Sequence, residues 1–399
     1  MGKRKKPSQN LLSLVRPINY NFRVTFEVLV SYRLEDYPPR QCEIGKSPRP
    51  DETEPTCALV REKVVQVFAS SSLLVNKYND REPNSRRWTI KTNTIATPLP
   101  HNRRDEHVNV IGLCPTEISS PVIPMQETQG TSFAEIELML RILRKNFKVI
   151  VNSTCGLRVE IGCFALQHGR CIDREFPLQT LRNFAQLVTL FETELNALHP
   201  IHRVLYADYC QLPTQLIKKS QDPVTLLDKC PDPDTLVRTW QEGLNTSDSE
   251  TPPAYSFSNA LEIPEMGDKP CTPGVIEFRQ HAGTIDPERV YHWVKLAMHS
   301  VRFSHECGMG GLPASLLRSL DEERHCPTGQ FDTTSFLRAI GAVEQAEYYR
   351  DKLRQYPRPL PRHFEYEEQT HIAARSPDPG HSGQYTEKKV RRKRRELRN

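Results

Sequence analysis

Three stretches lying far apart in the chain alternate apolar and polar residues, and this alternation constrains the fold more than any other feature. In NFRVTFEVLVSY, Phe22, Val24, Phe26, Val28 and Val30 alternate with Arg23, Thr25, Glu27 and Leu29. In CGLRVEIGCF, Leu157, Val159, Ile161 and Cys163 alternate with Arg158, Glu160 and Gly162. In GVIEFRQHAG, Ile276, Phe278 and Gln280 oppose Val275, Glu277, Arg279 and His281. A strand turns its side chains over at every residue, so each stretch puts its charges on one face. If the three share a sheet, one face is apolar and the other gathers Glu27, Arg158, Glu160, Glu277, Arg279 and His281. Taken alone, the alternation describes an ordinary solvated face of an antiparallel sheet. The sharper reading is a phosphate-and-metal site, because Mg²⁺ takes oxygen ligands and arginine pairs bidentately with phosphate or carboxylate.

Helical periodicity supplies the cover for the apolar face. SFAE at Ser132, with Glu135 three residues on, is a capping-box pattern, and Ile136, Met139, Leu140, Leu143 and Phe147 follow at helical spacing. Residues 178–198 carry a stripe through Leu181, Phe184, Val188, Phe191, Leu195 and Leu198. Asp286-Pro287 pairs an N-cap with a proline at the first helical position and opens a helix that stops near Gly308. A weaker pattern covers residues 58–75. Pro38–Thr56, Asn76–Arg87 and residues 214–253 read as polar loops or inserts, with QDPVT and CPDPD as turn or linker signals. GMGGLP at 308–313 follows a helix and reads as its stop. The expected organisation is a basic, disordered N-terminus at 1–14, one domain at 15–356 with inserts near 38–56 and 214–253, and a disordered tail at 357–399.

Composition narrows the functional classes. The 54 Lys+Arg against 49 Asp+Glu leave a net charge of +5, much of it carried by KRKK near the start and by Lys388–Arg398. The folded part is then near neutral and is not itself a nucleic-acid platform, although the tail could contact nucleic acid or an import receptor. A hydrophobic fraction of 37%, with 32 prolines against 18 glycines, suits a folded centre diluted by polar loops. No apolar run approaches the roughly 20 residues that span a bilayer, and the N-terminus lacks the apolar stretch of a secretory signal. The 11 cysteines form no dense framework, so reduced thiols in cytoplasm or nucleus are expected. Neither Cys155, Cys163 and Cys171 nor His305, Cys307, His325 and Cys326 show the tight pairs of structural zinc. GxxxxGK[ST], GxGxxG and GxSxG are absent.

Six landmarks, in order over roughly residues 20–305, resemble the amidoligase family, which is common in fungi and belongs to the glutamine-synthetase-like carboxylate–amine ligases. They are FRVTFEV, RWTIKTNT, CPTEISSPVI, VNSTCGLRVEIG, the helix ending in LHPIHR, and VIEFRQHAGTIDPERVYHWV. The resemblance implies an α+β fold: a curved antiparallel sheet with helices on its outer face and a funnel-shaped site on its polar face. It implies ATP and Mg as cofactors, and amide formation between a small-molecule or peptide carboxylate and an amine through an acyl phosphate. Matched residue by residue, Glu27, Glu117 and Glu277 stand at carboxylate metal-ligand positions, with Glu160 as a further candidate ligand. Arg279 stands at the position that meets the transferring phosphate, Arg279 and Glu277 are the catalytic candidates, and Arg203 and His281 are supporting cofactor-binding candidates.

The departures from the family pattern fall on the chemistry. Arg23 stands where the family has glycine, and Thr25 replaces the first of two glutamates. Asn93 and Thr94 replace an Asp and a Ser, and Arg158 and Glu160 replace paired histidines. One metal site would have drawn on the positions now held by Thr25, Arg158 and Glu277, and a guanidinium repels a divalent ion. The expectation is that this metal site is lost, with Arg158 pairing to Glu277 or filling the place of the ion. A second site could survive on Glu27, Glu117 and Glu160. Two functions stay open: a weakened ligase, and an inactive relative that binds nucleotide, peptide or a protein partner.

Overall fold

The computed structural model describes residues 19–33, 50–78, 86–93, 95–96, 111–125, 131–167, 170–204, 210–213, 222–242, 253–258, 274–325, 331–355 and 369–371. Most of the tail, Lys388–Arg398 included, and residues 1–18 lie outside them, as does Thr94. Ten strands form one open sheet in which every ladder is antiparallel. They are β1 (Asn19–Arg33), β2 (Thr89–Thr92), β3 (Ile111–Ser119), β4 (Ile123–Pro124), β5 (Val149–Val151), β6 (Leu157–Gln167), β7 (Arg170–Arg174), β8 (Tyr255–Ser258), β9 (Val275–Phe278) and β10 (Gln369–His371).

The fifteen residues of β1 make it long enough to pair with four other strands. Along one edge it meets β6 and then β5; along the other it meets β4 and then β3. Beyond β6 come β9 and β8, β7 pairs further along β6, β2 extends β3, and β10 pairs with β5. Residues 369–371 therefore contribute a strand from a region the sequence reads as tail.

Helices cover the apolar face. They are α1 (Pro50–Ser70), α2 (Thr131–Asn146), α3 (Leu178–Leu190), α4 (Glu192–Asn196), α5 (Pro223–Asp228), α6 (Pro233–Glu242), α7 (Pro287–Glu306), α8 (Ala314–His325), α9 (Thr333–Ala339) and α10 (Val343–Gln355). Phe22 of β1 stacks on Phe133 of α2, and Phe133 meets Tyr291 of α7 edge-on. Phe278 of β9 takes Phe184 of α3 and Trp293 of α7 against its edges. The Cys114 thiol of β3 donates to the Cys57 carbonyl of α1. Each of these sheet residues points away from the charged face, so the core lies between the sheet and α1, α2, α3 and α7.

Several boundaries differ from the sequence reading. Helix α1 starts at Pro50, inside the stretch read as a loop, because proline at the first position gives up no needed N–H. The 178–198 stripe is split at Phe191, whose φ of −104° and ψ of 26° are not helical. QDPVT and CPDPD are helix starts, not linkers. Asp222 accepts from Val224 and Thr225 N–H groups ahead of α5, and Asp232 accepts from the Thr235 N–H in α6. Asp286 caps α7 as expected, accepting from the Glu288 N–H at 3.0 Å. The stop at Gly308 has a physical basis, since Gly308 and Gly311 hold φ of 53° and 69°.

Helix α2 already begins at Thr131, so Ser132 lies inside it and not at its N-cap position. Glu135 instead accepts from the indole N–H of the fully buried Trp88 at 2.7 Å. Glu135→Ala would leave that N–H without its acceptor, at a cost of about 1–3 kcal/mol. Urea unfolding of the variant checks this expectation; an unchanged midpoint contradicts it.

Candidate active site

The cross-strand registers build the site. Arg23 of β1 lies opposite Glu160 of β6, and Glu160 lies opposite Glu277 of β9. One step along, Thr25 is flanked by Arg158 on β6 and Ser119 on β3. A further step pairs Glu27 with Glu117. These positions share the parity of the polar face, so residues from four strands converge there.

Arg158 sits at the centre of the resulting ion-pair network. Its Nη2 donates to Glu117 Oε1 at 3.1 Å, and its Nε lies 3.4 Å from Glu160 Oε1 and 3.4 Å from Glu277 Oε1. Thr25 Oγ1 accepts from the same Nη2 at 3.4 Å and bonds to the Ser119 hydroxyl at 2.9 Å. Arg279 Nε lies 2.5 Å from Glu277 Oε1, and Arg23 Nη1 lies 3.7 Å from Glu160 Oε2. Three guanidinium groups thus face three carboxylates. Burial disfavours the charge on Arg158, but Glu117, Glu277, Glu160 and Glu27 overcome that and raise its pKa. Burial also raises the Glu160 pKa, against the pull of Arg158 and Arg23.

Beside the network lies a small open cleft whose enclosed part has room for about one water molecule. Glu27, Gly156, Arg158, Arg203 and Arg279 line it, with Ile95 and Leu157 as apolar wall. Glu27 is buried and its Oε2 accepts from the Gly156 N–H at 2.7 Å. Arg203, in a short 3₁₀ turn over Ile201–Arg203, is also buried and donates through Nη2 to the Cys155 carbonyl. A methyl on Gly156 would come within 2.8 Å of Glu27 Oε2 and 3.1 Å of Arg203 Nη2. Glycine is what lets a glutamate and an arginine close over the backbone here.

Other expected site residues have different surroundings. The His281 ring packs on Trp293 and His199, on the helix side of the sheet, and its Nδ1 lies 2.6 Å from the Ala282 carbonyl. The reason is that β9 ends at Phe278, so the alternation does not carry through to residue 281. Burial drives the His281 pKa down to about 3, which leaves the ring neutral. Asn93 is buried and accepts from the Ile95 N–H at 2.8 Å and the Ala96 N–H at 2.5 Å, a turn-closing role. Three contributors escaped the sequence reading. Ser119 supports Thr25 and donates to Glu117, Ser256 of β8 donates to Glu277 Oε2 at 3.0 Å, and Gly156 shapes the cleft. Ser256 had a readable signal: it is the polar residue between buried Tyr255 and Phe257.

A divalent cation does not fit this arrangement. Of the carboxylates that would ligate it, Glu117, Glu160 and Glu277 are already held by guanidinium groups and Glu27 by the Gly156 N–H, and the network is balanced in charge. An ion about 4 Å from Arg158 would meet repulsion of about 8 kcal/mol at an effective dielectric of 20. Among the described residues, no three His, Cys, Asp or Glu side chains are grouped so as to hold a metal. No helix among them is long and apolar enough to cross a membrane.

With this geometry in hand, the comparisons can be set beside it. Residues 53–301 match a family model described as "Putative amidoligase enzyme", and the chain belongs to that amidoligase family. The match contains Glu117, Arg158, Glu160, Arg203, Glu277, Arg279 and His281, whereas β1, with Arg23, Thr25 and Glu27, precedes it. No curated protein matches the chain. Among solved structures, a bifunctional glutathione synthetase from Pasteurella multocida is similar with a TM-score of 0.34 and 10% identity, over 84% of this chain and 48% of that one. The chain thus spans about half the length of that protein.

Two expectations follow. Gly156→Ala forces Glu27 or Arg203 to move and lowers stability by about 1–3 kcal/mol, measurable by urea denaturation. His281 sets a pH dependence. Between pH 6.5 and about 3 the unfolded chain binds a proton there that the folded chain does not, so this contribution is fully present above pH 6.5 and is lost as pH falls. The slope reaches up to ~1.4 kcal/mol per pH unit. His281→Asn should flatten stability against pH by up to one proton in that window, and an unchanged slope refutes the assignment.

Proposed function

We propose that the chain is a carboxylate–amine ligase of the amidoligase family, on a glutamine-synthetase-like sheet, whose ATP-dependent chemistry is weakened. In this reading a carboxylate oxygen attacks the γ-phosphorus of ATP and ADP leaves. The nitrogen of an amine then attacks the acyl phosphate and releases phosphate. The observation that carries the reading is the convergence of Glu117, Arg158, Glu160, Glu277 and Arg279, all within the family-matched region, on one face of the sheet. Arg279 and Arg158 are the groups suited to meet phosphoryl oxygens, since a guanidinium pairs bidentately with them. Guanidinium groups alone are a poor substitute for metal ions when charge moves in phosphoryl transfer. The enclosed part of the cleft has room for about one water molecule, so a nucleotide would lie over it and not inside it.

A second reading is a relative that binds nucleotide or peptide without turnover. The hold of Arg158 on three carboxylates favours it. One assay separates the two: phosphate release from ATP that depends on both an added acid pool and an added amine. The ligase reading expects such release at a rate below about 1 s⁻¹, under the usual enzyme median. Replacing Thr25→Glu together with Arg158→His should raise that rate by about tenfold or more. A nucleotide-induced rise in Tm with no condensation favours the second reading. Neither turnover nor a Tm shift removes both.

A further inference from the structure

The cleft and the ion-pair network share two side chains, Arg158 and Arg279. The network is neutral, and the remaining cleft-lining charges, Arg203 and the carboxylate of Glu27, offset one another, so what marks the cleft is its three guanidinium groups and not a net charge. That carboxylate is already engaged by the Gly156 N–H. Arg279 has its Nε on Glu277, and among the described residues its terminal amino groups Nη1 and Nη2 have no partner. Its side chain is 23% exposed, so solvent and solutes reach it. A fixed, forked donor beside a guanidinium-lined cleft suits an oxyanion.

We propose that Arg158 is the resident cation of this site, and that the cleft binds a phosphoryl or carboxylate oxyanion through Arg279 without any divalent metal. The inference rests on reading the polar face as the site. Glu277 is shared: Arg158 and Arg279 both lie on its Oε1, and Ser256 donates to its Oε2. Arg158 therefore neutralises the carboxylate that orients Arg279, the task a bound ion would otherwise perform. Thr25 gives the guanidinium its room and a weak hydrogen bond. Metal exclusion is then one residue deep, because removing the charge at 158 leaves Glu117, Glu160 and Glu277 with an excess of negative charge and with oxygens free to ligate.

The test uses the full chain and no nucleotide. Mn²⁺ uptake is followed by electron paramagnetic resonance, and inorganic phosphate and glutarate are titrated in EDTA by calorimetry and thermal shift. Wild-type chain is expected to take up no Mn²⁺ with micromolar affinity, and to bind phosphate or glutarate in EDTA with a Kd that added Mg²⁺ changes by less than about twofold. Whichever probe binds identifies the oxyanion. Arg279→Gln should weaken that binding by about tenfold or more. Arg158→Gln should gain Mn²⁺ affinity by about tenfold or more, and Arg158→Lys, which keeps the charge, should not. If Arg158→Gln fails to fold, the wild-type and Arg158→Lys titrations still decide. Micromolar Mn²⁺ uptake by the wild type, or binding of neither probe in EDTA, overturns the inference. None of these readouts involves turnover. An absent ligase activity leaves them unchanged, and Mn²⁺ uptake by the wild type overturns the inference whatever the ligase assay gives.

Discussion

The register between β1 and β6 is the constraint on which the site depends. Side chains in a strand have a period of two, so a slip of one residue would send Arg158 and Glu160 into the core and bring Val159 to the solvent face. What prevents the slip is the apolar half of the same alternation. Phe22, Val24 and Phe26 on β1, with Leu157, Val159 and Ile161 on β6, are all buried under the helices. The core therefore fixes where the charges go, and the charges need no strong interaction of their own to find one another. That matters because partly buried ion pairs recover their desolvation cost only with good geometry and full pairing.

Once gathered, the charges close on themselves. A set of three carboxylates alone would repel and would need a counter-ion from solution. Here Arg158 supplies one from the chain, and Arg23 and Arg279 complete the balance at either side. The cost of burial is visible in Glu160, whose pKa rises despite two arginine partners. The network is thus a partly buried site whose electrostatics are set internally.

The sequence made part of this legible, and the division follows from what local pattern can encode. Alternation gave the strands and their charged face, because a half-buried strand writes its period into the chain. The Asp-Pro step gave the start of α7, yet the same chemistry at Asp222 and Asp232 was read as linker, since short helices offer too few turns to display a periodicity. His281 was assigned to the charged face by extending an alternation past Phe278, where the strand stops; nothing local marks that end. Asn93 reads as a departure from the family pattern, and nothing local shows that its side chain closes a turn on Ile95 and Ala96. Pairing partners lay beyond reach altogether. That Arg158 would meet Glu117, Glu160 and Glu277 together depends on three registers, which only the folded sheet specifies.

The residues at 25 and 158 are best understood together. They are direct cross-strand neighbours, and Thr25 is fully buried. A glutamate at 25 would crowd the space now taken by the guanidinium, and would add a fourth carboxylate to a network that one arginine at its centre could no longer neutralise. A histidine at 158, conversely, could not reach Glu117, Glu160 and Glu277 with permanent charge, so those carboxylates would require an external cation. Each state is self-consistent: carboxylate and histidine with metal, or threonine and arginine without it. Either single exchange leaves the charge unbalanced. With threonine at 25 and arginine at 158, the face carries its cation in the covalent structure, on the carboxylates of Glu117, Glu160 and Glu277.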